Sequence, residues 1–157
     1  MTVADWQACA ELLDEKAALL SKGGLRTGYH NHNFEFAPIG DRTGFDILME
    51  ATDPQLVTFE MDAGWVAAAG LDPVALLRRY AGRFRLMHVK DIKPSTRANF
   101  SLQLDPTEVG SGQMAWAQIL PAAYAAGVRE FFVEQEPPFS GSRLAAIEKS
   151  FQYLMSL

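Results

Sequence analysis

The sequence has a single cysteine, no excess of basic residues and no long hydrophobic run, and each shortage excludes a class of protein. Cys9 stands alone among 157 residues, which excludes an internal disulfide and every multi-cysteine metal site. The 14 Lys and Arg residues against 19 Asp and Glu leave a net charge of −5, with no basic stripe to neutralise nucleic-acid phosphates. No apolar run approaches the ~18 residues of a membrane span. We therefore expect a small-molecule ligand, and neither a nucleic acid nor a membrane as partner.

The first residues, MTVADWQACAELLDEK, also lack the pattern of a secretion signal. No basic region is followed there by an apolar stretch, so a signal peptide is not predicted and a cytoplasmic protein is expected. Cys9 falls within a helical pattern in this segment, and its position is more typical of a small packed residue than of a nucleophile.

Hydrophobic periodicity predicts one helix followed by four strand–helix units. The helices are predicted at 4–22, 44–51, 73–80, 114–126 and after residue 141, and the strands at 26–32, 56–61, 84–89 and 130–134. This alternation indicates an α/β fold with a parallel sheet and right-handed crossovers, in one domain over residues 1–157. The near-continuous apolar strands favour a sheet that is covered on both faces. The long polar stretch 90–113 is typical of a functional loop.

Histidines and carboxylates gather where the predicted strands end. The segment YHNHNFEF holds His30 and His32, and the three following strands end near Asp62, His88 and Glu134. In parallel α/β folds, the carboxyl ends of the strands carry the ligand site. Asp, His and Glu side chains converging there would form a mixed nitrogen and oxygen site suited to Mn, Mg, Co or Zn.

Each of these residues also has a plain structural interpretation. A lone histidine at a strand end is commonly a hydrogen-bonded surface residue, and an Asp before Ala-Gly, as at Asp62, is commonly a turn residue. Glu134, close to Pro137, could simply be exposed. The coincidence of three such strand ends favours a functional site over three separate structural roles.

Several motifs resemble one known family. GYHNHNFEF at 28–36, EMDAGW at 60–65, HVKD at 88–91, VGSGQMAW at 109–116 and VEQE at 133–136 are similar to the sugar phosphate isomerase/epimerase family, whose members are xylose isomerase-like TIM barrels. The motifs occur in the order that the family has them. The resemblance runs from residue 28 to the last helix and is specific for the superfamily, but it is weak on substrate.

The resemblance implies a divalent metal held by Glu, Asp, His and Glu from successive strand ends. Asp62 matches the second ligand, His88 the third and Glu134 the fourth. Glu35 is the candidate for the first ligand, because related sequences carry an acid downstream of the His-x-His pair. His32 remains open as an alternative, either as that ligand or as a substrate contact.

The resemblance also implies proton abstraction next to a carbonyl group of a sugar or sugar phosphate, with the metal polarising the oxygen. Glu35 and Glu134 are then candidate acids and bases as well as ligands. Lys90 and His30 are candidates for hydrogen bonds to substrate oxygens. His32 and Trp65 are candidate substrate contacts, although Trp65 is equally compatible with plain core packing.

Two alternatives to an isomerase or epimerase stay open: a lyase or dehydratase on the same scaffold, and a catalytically inactive half-barrel or truncated fragment. A dinucleotide-dependent oxidoreductase is not supported, because Gly110-Ser111-Gly112 lacks the third glycine of that fingerprint and does not directly follow a strand.

A full barrel of this kind has eight strands in about 250 residues. The four predicted strands match the C-terminal half of such a barrel, and an open half would expose two unpaired edge strands. The expectation is therefore either a piece of a longer barrel or a half-barrel that closes by forming a homo-oligomer.

Overall fold

The computed structural model describes residues 1–157 and contains a four-stranded parallel sheet. The strands are β1 (Thr27–His30), β2 (Val57–Asp62), β3 (Phe84–Val89) and β4 (Glu130–Val133), and they neighbour one another in chain order. The predicted parallel arrangement of strand–helix units is confirmed, because each strand pairs in parallel with the next.

Six α-helices accompany the sheet. They are α1 (Val3–Ser21), α2 (Gly44–Ala51), α3 (Ala63–Ala68), α4 (Pro73–Arg79), α5 (Trp116–Ala126) and α6 (Arg143–Leu154). Thr2 and Thr43 cap the N-termini of α1 and α2 with capping boxes. In each, the threonine hydroxyl accepts the backbone N–H of the aspartate three residues later, Asp5 or Asp46, and that aspartate's carboxylate accepts the backbone N–H of the threonine. No helix is both long enough and apolar enough to cross a membrane.

The remaining ordered segments are short. A 3₁₀ helix covers Phe34–Phe36, and two-residue strands pair antiparallel at Pro38–Ile39 with Arg42–Thr43 and at Asp91–Ile92 with Pro106–Thr107. The long predicted loop 90–113 is therefore folded back on itself by the second of these pairs.

The helices cover only one face of the sheet, so the prediction of a sheet covered on both faces is wrong. In β2, Val57, Phe59 and Met61 are buried against the helices, whereas the alternate residues Thr58 and Glu60 remain half-exposed on the other face. The physical reason is the strand order. Strands that neighbour one another in chain order place all right-handed crossovers on the same side, which curves the sheet as in a barrel and leaves its inner face open.

The last strand and helix are poorly covered. Phe131, Phe132 and Val133 in β4 are 38%, 45% and 46% exposed. On α6, the apolar stripe visible in the sequence lies mostly in solvent, with Leu144 and Ile147 76% and 62% exposed. An apolar edge strand beside an uncovered helix face is a surface that pairing with another chain would bury.

Candidate metal centre

Four side chains meet at the carboxyl ends of the four strands. His30 ends β1, Asp62 ends β2, His88 lies in β3 and Glu134 follows β4, and each offers one ligand atom within 4.8 Å of the others. His30 Nε2 lies 3.1 Å from His88 Nδ1 and 3.4 Å from Asp62 Oδ2. His88 Nδ1 lies 3.6 Å from Asp62 Oδ2 and 2.8 Å from Glu134 Oε2.

These four atoms fit a divalent metal in chemistry and in spacing. Ligands at about 2.1 Å from an ion lie about 3.0 Å apart in octahedral geometry and about 3.4 Å apart in tetrahedral geometry. Two imidazole nitrogens with two carboxylate oxygens form a set that several divalent transition metals accept. Oδ2 of Asp62 and Oε2 of Glu134 are moreover buried and accept no hydrogen bond of standard geometry, although both face the Lys90 ammonium, so each can also bind an ion.

The local charge favours a cation in the same place. Lys90 is 1% exposed, and its ammonium lies 3.1 Å from Asp62, 2.8 Å from Glu134 and 3.5 Å from Glu136. Burial alone would lower the pKa of Lys90, but the Asp62 and Glu134 carboxylates outweigh it and raise that pKa. One ammonium therefore faces three carboxylates, and the site keeps an excess of negative charge.

Burial likewise works to raise the pKa of the Asp62 carboxyl, yet the His30 and His88 rings and the Lys90 charge hold that pKa well below its usual range. Asp62 is thus ionised and fully buried, the state in which a carboxylate binds a metal. Its second oxygen, Oδ1, accepts the backbone N–H of Trp65 and caps α3, so the carboxylate is fixed in orientation.

Glu60 orients His88 from the inner face of the sheet. Glu60 Oε1 lies 3.3 Å from His88 Nε2, which leaves Nδ1 directed at Asp62 and Glu134. A carboxylate on the far nitrogen of a histidine is the usual support of a metal ligand. The Asp62 carboxylate, with further help from Glu134 and Glu60, raises the pKa of His88 against the effect of burial.

Two asparagines that our sequence interpretation missed hold the end of β1. Asn31 is fully buried; its Oδ1 accepts the backbone N–H of Asp62 at 3.0 Å and its Nδ2 reaches the Asp62 carbonyl at 3.4 Å. Asn33 donates to the backbone carbonyl and side chain of Asn99 and accepts from the backbone N–H of Leu102. The alternation His-Asn-His-Asn in the sequence indicates this role, because successive residues of an extended chain point in opposite directions and the asparagines therefore point away from the histidines.

Glu35 lies outside the group of four. It is 1% exposed in the 3₁₀ helix, where it accepts hydrogen bonds from the Tyr29 hydroxyl at 2.9 Å and from the His32 backbone N–H. The structure instead brings His30 to the predicted ligands Asp62, His88 and Glu134. The His32 ring stands beside the group, 4.9 Å from His30 and 5.4 Å from Trp65.

Glu35→Gln tests whether the first ligand is Glu35, as the resemblance implies, or His30, which the structure places with the other three ligands. We expect this variant to keep divalent-metal affinity within about threefold, and to lose roughly 1–2 kcal/mol of folding free energy because a buried acceptor of two donors is weakened. His30→Ala, its matched partner, should weaken the affinity at least tenfold. Calorimetric metal titration and urea unfolding measure both effects. The reverse pattern, with metal binding lost in Glu35→Gln and kept in His30→Ala, would restore Glu35 as the ligand.

The chain is similar in sequence to curated bacterial enzymes. An inosose dehydratase of Geobacillus kaustophilus is 34% identical over 93 residues, which is 59% of this chain but 30% of that enzyme. An inosose dehydratase of Clostridium tetani is 33% identical over 92 residues, again 30% of its length. The matched region thus spans less than a third of these relatives. No protein-family model matches the chain.

Solved structures match over nearly the whole chain. A sugar phosphate isomerase/epimerase from Parabacteroides distasonis superposes with a TM-score of 0.85 and 28% identity, over 99% of this chain and 53% of that one. The chain therefore has the fold of the xylose isomerase-like TIM barrels, over about half of such a barrel. Its structural neighbours are sugar phosphate isomerase/epimerase proteins, as the motifs predicted, and the predicted fold class is confirmed.

Proposed function

We propose that this chain binds a divalent metal, with Mn, Mg, Co and Zn as candidates, and acts on a sugar or sugar-derived carbonyl compound. The convergence of His30, Asp62, His88 and Glu134 at one end of the sheet carries the proposal. When bound, the metal supplies Lewis acidity to an oxygen of the substrate. The site opens toward solvent beside Glu134, whose side chain is 36% exposed, whereas Asp62 is fully buried.

The exposed carboxylate is the group that can reach a substrate proton. Glu134 takes the proton from the carbon next to the carbonyl group, and Lys90, 2.8 Å away, holds that carboxylate in place. His32 and Trp65 form an aromatic wall beside the ligands and orient the substrate. Glu35 is enclosed by Tyr29 and the His32 backbone, so we assign the proton transfer to Glu134.

Two reaction types begin with this step. Returning a proton to the neighbouring carbon gives an isomerase, and returning it to the opposite face of the same carbon gives an epimerase, as the named structural neighbours suggest. Expelling a neighbouring hydroxyl group as water gives a dehydratase, which the similarity to inosose dehydratases favours as the second candidate. The two differ in the product: the first conserves its mass, and the second loses one water.

Exchange of substrate hydrogen for solvent deuterium tests the shared step. The metal-loaded chain is incubated in D₂O with ketohexoses, their phosphates and a keto-inositol, and the products are analysed by mass spectrometry. We expect deuterium at one carbon of at least one compound, and a loss of at least about 100-fold in rate with Glu134→Gln. If the metal-loaded chain exchanges no compound of the panel, the proposed catalysis is wrong and a metal-binding, inactive half-barrel remains.

We also propose that the chain acts as a homo-oligomer of (βα)₄ units spanning residues 1–157. Both edge strands of the sheet, β1 and β4, lack a partner strand. The open side of the metal site lies at one of these edges, beside Glu134. The molar mass in solution, with metal content measured on the same chromatographic peak, distinguishes an oligomer from a monomer.

A further inference from the structure

The two free edges of the sheet differ in chemistry. In β4, Phe131, Phe132 and Val133 are each more than a third exposed. On the other edge, β1 presents Gly28, which is exposed, and the half-buried Thr27 and Tyr29. One edge thus carries large apolar side chains and the other small or polar ones, so that pairing β4 with β1 would bury apolar surface at little steric cost.

The register of the sheet fixes how such a pairing would close. The four ligand residues stand at one height along the strands. On each strand, the number of residues between its own ligand and the residue that pairs with the previous strand's ligand therefore measures the stagger between those two strands. His30 pairs with Glu60, two residues before the ligand Asp62. Asp62 pairs with His88 directly. His88 pairs with Phe132, two residues before the ligand Glu134.

The stagger therefore grows by four residues from β1 to β4. A barrel of eight parallel strands has a total stagger of about eight residues. Two identical halves related by a twofold axis each contribute half of that total. The four residues of stagger within one sheet already equal half of that total, so the new β4–β1 contact must add no further stagger. Glu134 then lies opposite His30 of the partner subunit, and four residues earlier, Glu130 lies opposite Arg26 of the partner subunit.

The charges at this register are complementary. Arg26 and Glu130 are both exposed, and neither makes an ion pair within its own chain. Both line the trough of about 560 Å³ on the inner face of the sheet, the space that closure would enclose. An opposite-charge pair on neighbouring strands selects a register, because a slip would leave both charges buried and unpaired.

We propose that a second copy of this chain closes the sheet into an eight-stranded barrel, with β4 of each copy beside β1 of the other and Arg26 opposite Glu130. The proposal specifies the contact behind the homo-oligomer proposed above and rests on that part of the proposed function alone. Closure also places His30 of the partner subunit opposite the exposed Glu134, so the new contact borders the metal centre that each chain already holds.

Charge reversal on the full chain tests this contact by sedimentation velocity. We expect a dimer for the unchanged chain, and at least a tenfold weaker dimer for Arg26→Glu and for Glu130→Arg, because like charges would face each other. The double variant should recover affinity to within about threefold. Arg78→Glu, an exposed position on α4 far from either edge strand, is the matched control and should leave the dimer unchanged.

Circular dichroism on each variant confirms that a dissociated species is folded. A chain that stays monomeric at 100-fold excess over the concentration used for the metal titration would overturn the proposal. A dimer that resists both reversals would also overturn it and would point to the exposed α6 face instead. None of the changed residues is a metal ligand, so loss of metal binding in the unchanged chain would refute the proposed function without touching this interface.

Discussion

Replacing His88 with Ala or Asp62 with Asn is expected to abolish tight divalent-metal binding, with affinity reduced roughly 100-fold or more. Each substitution removes one of four ligand atoms that lie within 4.8 Å of one another. Asp62→Asn also removes the negative charge that partly balances the ion, while its retained oxygen can still cap α3 through the Trp65 N–H. Competition titration against a fluorescent chelator measures the affinity of each variant.

His32→Ala is the matched control for this prediction. His32 is the one histidine outside the group of four, although its ring lies 4.9 Å from that of His30. Its removal should leave metal affinity within about threefold, and it should act on substrate affinity instead. Near-ultraviolet circular dichroism shows that each variant is folded. Unchanged affinity in both the His88 and the Asp62 variants would eliminate the proposed centre.

Much of this fold could be predicted because the local signals agree with the final packing. The helix at Gly44–Ala51 and the strand at Phe84–Val89 have the bounds that the sequence predicts, since Gly, Pro or Asp residues mark their ends. That Asp62, His88 and Glu134 would lie together could be predicted from one rule, that polar side chains at the carboxyl ends of parallel strands converge. That rule needs only the strand ends, and the apolar runs define them.

The first ligand illustrates what the sequence alone leaves open. The sequence left Glu35 and His32 as candidates, and which side chain reaches the other three depends on where β1 stops; in the structure it is His30. Asn31 decides this by bonding to the backbone of Asp62 on the neighbouring strand, and the chain then turns into the 3₁₀ helix that returns Glu35 to Tyr29. This hydrogen bond joins residues 31 positions apart in sequence, so no local sequence pattern predicts it.

The exposed stripe on α6 has a similar cause. The spacing of Leu144, Ile147 and Phe151 correctly predicts a helix with an apolar face. The periodicity shows which residues form the apolar face of the helix, but it does not show which part of the protein packs on them. In α6 that face is mostly exposed to solvent. Burial of an amphipathic helix depends on partners distant in sequence or on another chain, and only the tertiary structure identifies them.

Asp91→Asn should be the most costly change of a charged residue outside the metal centre. Asp91 is fully buried and accepts the backbone N–H groups of Ile92 and Met114 on one oxygen, and those of Gly110 and the Trp116 indole on the other. Asp91→Asn keeps the shape but turns an N–H₂ group toward two donors. We expect a loss of about 3 kcal/mol in urea unfolding, and a fall in Tm of about 6–12 °C.

Asp105→Asn is the control, because Asp105 bonds Lys93 and Ser95 at the surface with 39% of its side chain exposed. Its cost should stay below about 1 kcal/mol. Equal losses of unfolding free energy in the two variants would show that the buried hydrogen bonds of Asp91 stabilise the fold no more than the surface bonds of Asp105.

Strand alternation makes the Asp91 result informative about the metal centre as well. Lys90 directs its ammonium at Asp62 and Glu134, and the next residue, Asp91, directs its carboxylate the other way, at the 110–116 loop. Gly64 lets α3 approach Lys90 closely, since a Cβ there would lie 2.8 Å from the Lys90 side chain. The two neighbours thus belong to separate networks on opposite sides of one backbone. Asp91→Asn should therefore lower stability while leaving the metal affinity of the folded protein within about threefold, and a joint loss would mean that the loop holds the ligands in place.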